Sequence, residues 1–125
     1  MHSVILAMLI GATDNMTFWN KIPENELQIL SQVADEYELD WTETKLLVII
    51  RRIENGRSGC EMGVEVPQAM RFKGDFEKSL RLQAQWAAGT IKKRYDGVLS
   101  RFAQRWCPVN AGNWYRMARS MLAEN

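Results

Sequence analysis

Thr44-Lys45-Leu46-Leu47-Val48-Ile49-Ile50-Arg51-Arg52-Ile53-Glu54-Asn55-Gly56 is the stretch on which the reading of this chain turns. It has the pattern of an apolar-faced helix, and Asn-Gly stops it at once. Advancing about 100° per residue places Leu47, Ile50 and Ile53 on one arc, with Glu54 between Leu47 and Ile50. An acid therefore occupies a position where the pattern calls for an apolar residue. Burial there disfavours the charged form, and the C-terminal end of a helix dipole also opposes an anion. Such a group suits general-acid chemistry. Arg51, one turn earlier, is placed to oppose both effects by pairing with the carboxylate. The plain alternative is a helix-end glutamate pointing into water.

Upstream, Pro23 is placed to open a helix running to about Tyr37, with Leu27, Leu30, Ala34 and Tyr37 on one face. Asp40 or Thr42 then caps the helix that ends at Glu54. From Asn55 to about Phe76 the pattern breaks, punctuated by Gly56, Gly59, Gly63, Pro67 and Gly74. A long irregular segment of this kind is commonly a binding loop or the lip of a cleft, with a short β-hairpin as the other form it can take. Helicity returns with Leu80, Ala84, Ala87, Ala88, Ile91 and Tyr95 and closes at Gly97. Val98, Phe102 and Trp106 continue the spacing as far as Pro108, and Trp114, Met117, Ala118, Met121 and Leu122 form a final amphipathic helix. The expected fold is mostly α, a single orthogonal multi-helix domain over residues 1–125, with an irregular or hairpin segment at about 56–76. Uneven helix lengths and the glycine-rich break argue against a simple bundle.

The composition, 46% apolar and 25% charged over 125 residues, fits one core that needs no metal or disulfide staple. Net charge is only +1, yet residues 1–66 carry 5 basic and 11 acidic side chains, and residues 67–125 carry 11 and 4. Two complementary faces packed together account for this more simply than an anionic partner does. Lys92-Lys93-Arg94 with Arg101 and Arg105 is the stretch a nucleic-acid binder would use, but such a run usually marks a solvated helix face, and no nucleic-acid partner is expected. His2 is the only histidine, which argues against Ser-His or Cys-His catalysis and against a His/Cys zinc site. No phosphate-binding glycine motif is present, and neither metal nor cofactor is expected. Cys60 and Cys107 are compatible with one bridge or two buried thiols. Val4–Ala12 is too short to span a bilayer and lacks the basic flank of a signal peptide, so a buried first helix and no integral membrane segment are expected.

Ala34-Asp35-Glu36-Tyr37-Glu38-Leu39-Asp40 followed by Leu46–Gly56 resembles the opening of the lysozyme-like lytic transglycosylases. There, a tyrosine-leucine-aspartate turn precedes a helix ending in isoleucine-x-x-glutamate-serine-glycine. Glu61-Met62-Gly63-Val64 resembles that family's glycine-leucine-methionine-glutamine loop, and Asn110-Ala111-Gly112 its alanine-tyrosine-asparagine-alanine-glycine motif. The resemblance runs from about Ala34 to Tyr115. Asn55 stands in place of the serine, Glu65-Val66 where the glutamine is expected, and Val109 in place of the tyrosine.

The resemblance implies a lysozyme-like fold and a bacterial or phage enzyme acting at the cell envelope on peptidoglycan glycan strands. Glu54 would protonate the β-1,4 bond between N-acetylmuramic acid and N-acetylglucosamine. Glu61 or Glu65 is then the candidate second carboxylate of a two-acid glycosidase. A lytic transglycosylase instead uses the substrate's acetamido group and closes an anhydro ring. Glu61, Gly63, Val64, Trp106, Asn110 and Tyr115 are the expected substrate-binding residues. Trp106 and Trp114 continue apolar stripes and so read first as core. A catalytically inactive binding or assembly module on the same fold is the alternative.

Overall fold

Leu46, Leu47, Val48, Ile49 and Ile50 are all fully buried, so the helix that carries them is wrapped on every side rather than laid on a surface. In the computed structural model, which describes residues 21–123, this helix is α2 (Trp41–Glu54). It packs against α1 (Glu24–Glu36), α3 (Phe76–Arg94) and α5 (Ala111–Ala123), while α4 (Leu99–Trp106) packs chiefly on α5. Five aliphatic side chains removed from water contribute on the order of 10 kcal/mol before the cost of ordering them. The fold is mostly helical, and among the described residues no strand forms. Residues 56–75 are irregular apart from a 3₁₀ turn at Pro67–Ala69. A second 3₁₀ turn, Pro108–Asn110, joins α4 to α5. The apolar run Val4–Ala12 lies outside the described residues.

Local chemistry explains the helix limits. Pro23 precedes α1, and its carbonyl accepts the Glu26 and Leu27 amides. Asp40 opens α2 with a reciprocal capping box: its carboxylate accepts the Glu43 amide, and the Glu43 carboxylate accepts the Asp40 amide, both at 2.8 Å. At the other end Asn55, with φ +44, takes the left-handed position and donates to the Arg51 carbonyl. Asparagine tolerates that conformation better than most residues. Gly56 is needed for a different reason, since a Cβ there would lie 1.8 Å from the Cys60 carbonyl oxygen. At the start of α4, Asp96 accepts the Val98 amide at 3.0 Å and the Arg101 guanidinium at 2.8 Å. These two interactions, the amide foremost, hold its carboxyl below the usual carboxylate range.

The expected stripe on α3 is present, with Leu80, Ala84, Ala87, Ala88 and Ile91 fully buried. The alanines let α1 and α2 approach closely. Gly89 interrupts this good helix-forming run, although a Cβ there would meet only Tyr37 Cε2 at 3.7 Å, an ordinary contact. Glycine inside a helix costs about 1 kcal/mol relative to alanine, and packing gives no reason for it here. On α5, Trp114 and Ala118 carry the burial, whereas Met117, expected on the apolar face, is 38% exposed. An aromatic cluster closes this side. Phe102 stacks on Trp106 at 5.8 Å and meets Trp114 and Tyr95 at 6.0 Å. Burial, and then the nearby charges of Asp40, Asp96 and Glu43, push the Tyr95 phenol up, which keeps it neutral.

Arg51 does not pair with Glu54 as its spacing suggested. Its Nε donates to Glu26 Oε1 of α1 at 2.7 Å, with both side chains nearly sequestered from water. Glu26→Ala would leave that guanidinium buried without its counter-ion, and should lower unfolding stability by about 3–5 kcal/mol in urea titration. A loss below about 1 kcal/mol would place the pair with surface ion pairs. The Asp96 contribution has the sign of a depressed acid: present above the unfolded pKa, lost as pH falls through the folded one. Asp96→Asn should therefore remove the part of the acid-side fall in stability that this cap generates, in denaturation measured across pH.

Candidate functional site

Four separate segments converge on the Glu54 carboxylate. The last turn of α2 supplies the acid, the last residue of α4 supplies Trp106, and the first turn of α5 supplies Trp114. Both indole N–H groups donate to one oxygen, Oε2, at 3.2 Å from Trp106 and 3.1 Å from Trp114. The fourth segment is the irregular loop. Gly63 lies so close that a Cβ on it would fall 2.5 Å from Glu54 Oε1, the other oxygen. Gly63 is itself exposed and has φ +78, so both space and backbone conformation call for glycine. Among the described residues Oε1 has no hydrogen-bond partner. Glu54 is half-buried. The result is a carboxylate with one oxygen fixed by two neutral donors and the other beside an exposed glycine.

The loop that brings Gly63 there is held by side chains instead of strand pairing. Gln83, buried on α3, accepts the Met62 and Val64 amides at its oxygen, at 3.1 and 3.2 Å. Its nitrogen lies within 2.9–3.0 Å of the Gly59, Val64 and Ala69 carbonyls. Arg51 Nη1 donates to the Glu61 carbonyl at 2.9 Å and to Gly56 at 3.2 Å. Ser79 donates its hydroxyl to Glu61 Oε1 at 2.8 Å and also accepts the Gly59 amide at 2.9 Å. A loop with no ladder partners must satisfy its backbone in some such way. Here Arg51, Gln83, Ser79, Ser58 and the Glu61 carboxylate supply side-chain partners, beside short-range backbone bonds such as Gly56 N–H to the Glu61 carbonyl and Gly63 N–H to the Cys60 carbonyl.

The other expected site residues are placed unevenly. Glu61 is fully buried, with its carboxylate turned into this scaffold and Oε2 unpartnered. It is thus not a charge in solvent, and its Oε1 is committed to Ser79 and Gly59. Glu65 is exposed. Val64 is half-buried and tied to Gln83 through both its amide and its carbonyl. Asn110 is exposed in the 3₁₀ turn and caps nothing, and Tyr115 is half-buried with the Arg119 guanidinium 5.4 Å from its ring. Trp106 and Trp114 belong to the core and to the site at once. Gln83 and Ser79 were not foreseen, although polar residues four apart on an otherwise apolar stripe were a visible signal. Cys60 and Cys107 are free thiols.

No group of three or more Asp, Glu, Cys or His among the described residues is arranged to hold a metal ion, and no helix there is long and apolar enough to cross a membrane. Set against known protein families, characterised proteins and solved structures, the chain matches none.

Gln83→Leu keeps the volume but leaves two amides and three carbonyls of the loop without their partner. Stability should fall by about 3 kcal/mol or more, with faster hydrogen exchange concentrated at the Met62 and Val64 amides. Unchanged exchange at those two positions would show that the loop is held by other means.

Proposed function

We propose that the chain is a lysozyme-like glycosidase or lytic transglycosylase that cleaves the β-1,4 bond between N-acetylmuramic acid and N-acetylglucosamine, with Glu54 as its single general acid/base. The observation that supports this most strongly is the inequivalence of the two Glu54 oxygens. Oε2 is occupied by two indole donors, so a proton on the group belongs on Oε1, the oxygen beside exposed Gly63. A general acid needs that arrangement: a fixed direction, and a transferable proton on the oxygen that the indoles leave free.

In this reading Glu54 Oε1–H protonates the glycosidic oxygen as the C1–O bond breaks. The acetamido oxygen of the muramic residue closes on C1, and the departing sugar leaves as an alcohol. The Glu54 carboxylate then takes a proton from the incoming nucleophile. If this is water, the product has a reducing end; if it is the muramic C6 hydroxyl, the product is a 1,6-anhydro ring. A second carboxylate is not required by this route, which fits a Glu61 committed to Ser79 and Gly59. The proposed substrate is the peptidoglycan glycan strand.

Muropeptide release from purified sacculi tests the proposal. Glu54→Gln should reduce it by about 10²–10⁴-fold without loss of fold. Gly63→Ala should also suppress release, because its Cβ pushes the carboxylate off the two indoles; at φ +78 it strains the backbone as well, so a melting curve is read beside the release. Equal release by Glu54→Gln and the unmodified protein would remove Glu54 from the chemistry. Retention on sacculi with no release from either would select the inactive binding module.

A further inference from the structure

Away from Glu54, a groove of about 440 Å³ runs between Tyr37, just past α1, and the outer side of α3. Lys92 of this part of α3 reaches the Glu38 carbonyl and Glu43, so the groove lies toward the N-terminal end of α2. Glu54 is at the opposite end of that helix, roughly 20 Å away along its axis. Two aromatic residues line the groove, and Trp86 is 39% exposed. Gln85 and Thr90 add an amide and a hydroxyl, while Lys93 and Arg94 add two cations. Among the described residues the Trp86 indole N–H, the Tyr37 hydroxyl and both cations lack a hydrogen bond or ion pair. Gly89 forms part of the wall, where alanine would fit and would make the better helix. What the glycine does provide is space in the groove.

We propose that this groove is a second saccharide site, taking a pyranose that bears a carboxylate. An aromatic face with a nearby amide and hydroxyl matches a sugar ring, and the two cations match its acid. A nucleic acid fits less well. Glu36 beside Gln85 and Arg81, and Glu43 beside Lys92, put carboxylates where a run of phosphates would continue. One carboxylate on a sugar needs only the Lys93 and Arg94 end of the groove, two turns along α3 from the Gln85 that reaches Glu36. The identification of that sugar as muramic acid, through the lactyl carboxylate that is free where the strand carries no stem peptide, rests on the peptidoglycan reading. The second site would then hold a peptide-free stretch of the strand that Glu54 cuts.

The test is a nuclear magnetic resonance titration of ¹⁵N-labelled full chain carrying Glu54→Gln, observing the Trp86 indole and the Gly89 amide. The probes are the N-acetylglucosaminyl-N-acetylmuramic acid disaccharide, neutral diacetylchitobiose and a short oligothymidylate. Saturable shifts at both positions are expected with the acidic disaccharide, with affinity about tenfold above that of the neutral one. Trp86→Ala, read at the Gly89 amide, should abolish the shift; the pair Lys93→Gln with Arg94→Gln should lower affinity for the acidic disaccharide about tenfold, to that of the neutral one; and Gly89→Ala, read at the Trp86 indole, should weaken binding while raising the melting temperature. Absence of shifts at Trp86 and Gly89, equal affinity for the neutral sugar, or preference for the oligothymidylate would each overturn the proposal. Sacculus cleavage by the unmodified protein is followed in parallel. Disaccharide binding without cleavage removes the glycosidase reading and keeps this site; cleavage without binding does the reverse.

Discussion

The buried guanidinium of Arg51 is the constraint on which the candidate site depends. It projects from the last turn of α2 and is 7% exposed. From there it reaches α1 through Glu26, the loop through the Gly56 and Glu61 carbonyls, and the Phe76 ring at the start of α3 at 5.8 Å. A charge that deep is tolerated only when its donors are met, because the desolvation cost otherwise exceeds what packing returns. The geometry of the loop is therefore bound to the geometry of the helix end. Glu54 stands three residues beyond Arg51, on the part of the backbone that this network fixes.

The same demand for partners explains why the 56–75 loop is ordered without strands. Its carbonyls and amides are turned inward onto Gln83 and Arg51, and each would be costly if left dry. Glu61 extends the pattern by using its carboxylate to tie Ser79 and Gly59 together. A residue that reads as surface charge by type is thus a structural group by location. The loop's two closest approaches, Gly56 against Cys60 and Gly63 against Glu54, sit at either side of that polar anchor.

The helices were legible because their signals are local. Apolar periodicity, Asp40 as one of the two candidate caps and the Asn-Gly stop lie within a few residues of what they determine, and the structure forms them where the spacing indicates. Of the candidate site, Glu54 was legible from the residues and Gly63 and Trp106 through the resemblance, but not how they meet. Arg51 is one turn from Glu54 in sequence, yet Glu26, 25 residues earlier, is its partner, because packing of α1 on α2 brings a second acid nearer in space. The indoles of Trp106 and Trp114 lie 52 and 60 residues from Glu54, and their apolar spacing correctly marked them as core. Spacing alone carried no sign of where the N–H of each ring would point. A buried indole still needs an acceptor, and a buried acid needs donors. That complementarity was present in the composition, without a register to pair the members.

Placing two tryptophans rather than a basic residue against Glu54 has a chemical consequence. An arginine there would lock the group into an ion pair through both oxygens. Indole N–H groups fix one oxygen without adding a full charge, and leave the other free of the pair. The rings are also held independently of the acid, since Phe102 stacks on Trp106 and packs against Trp114 within the core. Rotating the carboxylate away breaks two hydrogen bonds, while moving the rings with it disturbs α4 and α5 together. The direction of Oε1 is consequently set by core packing, a preorganisation that an acid on a mobile loop does not have.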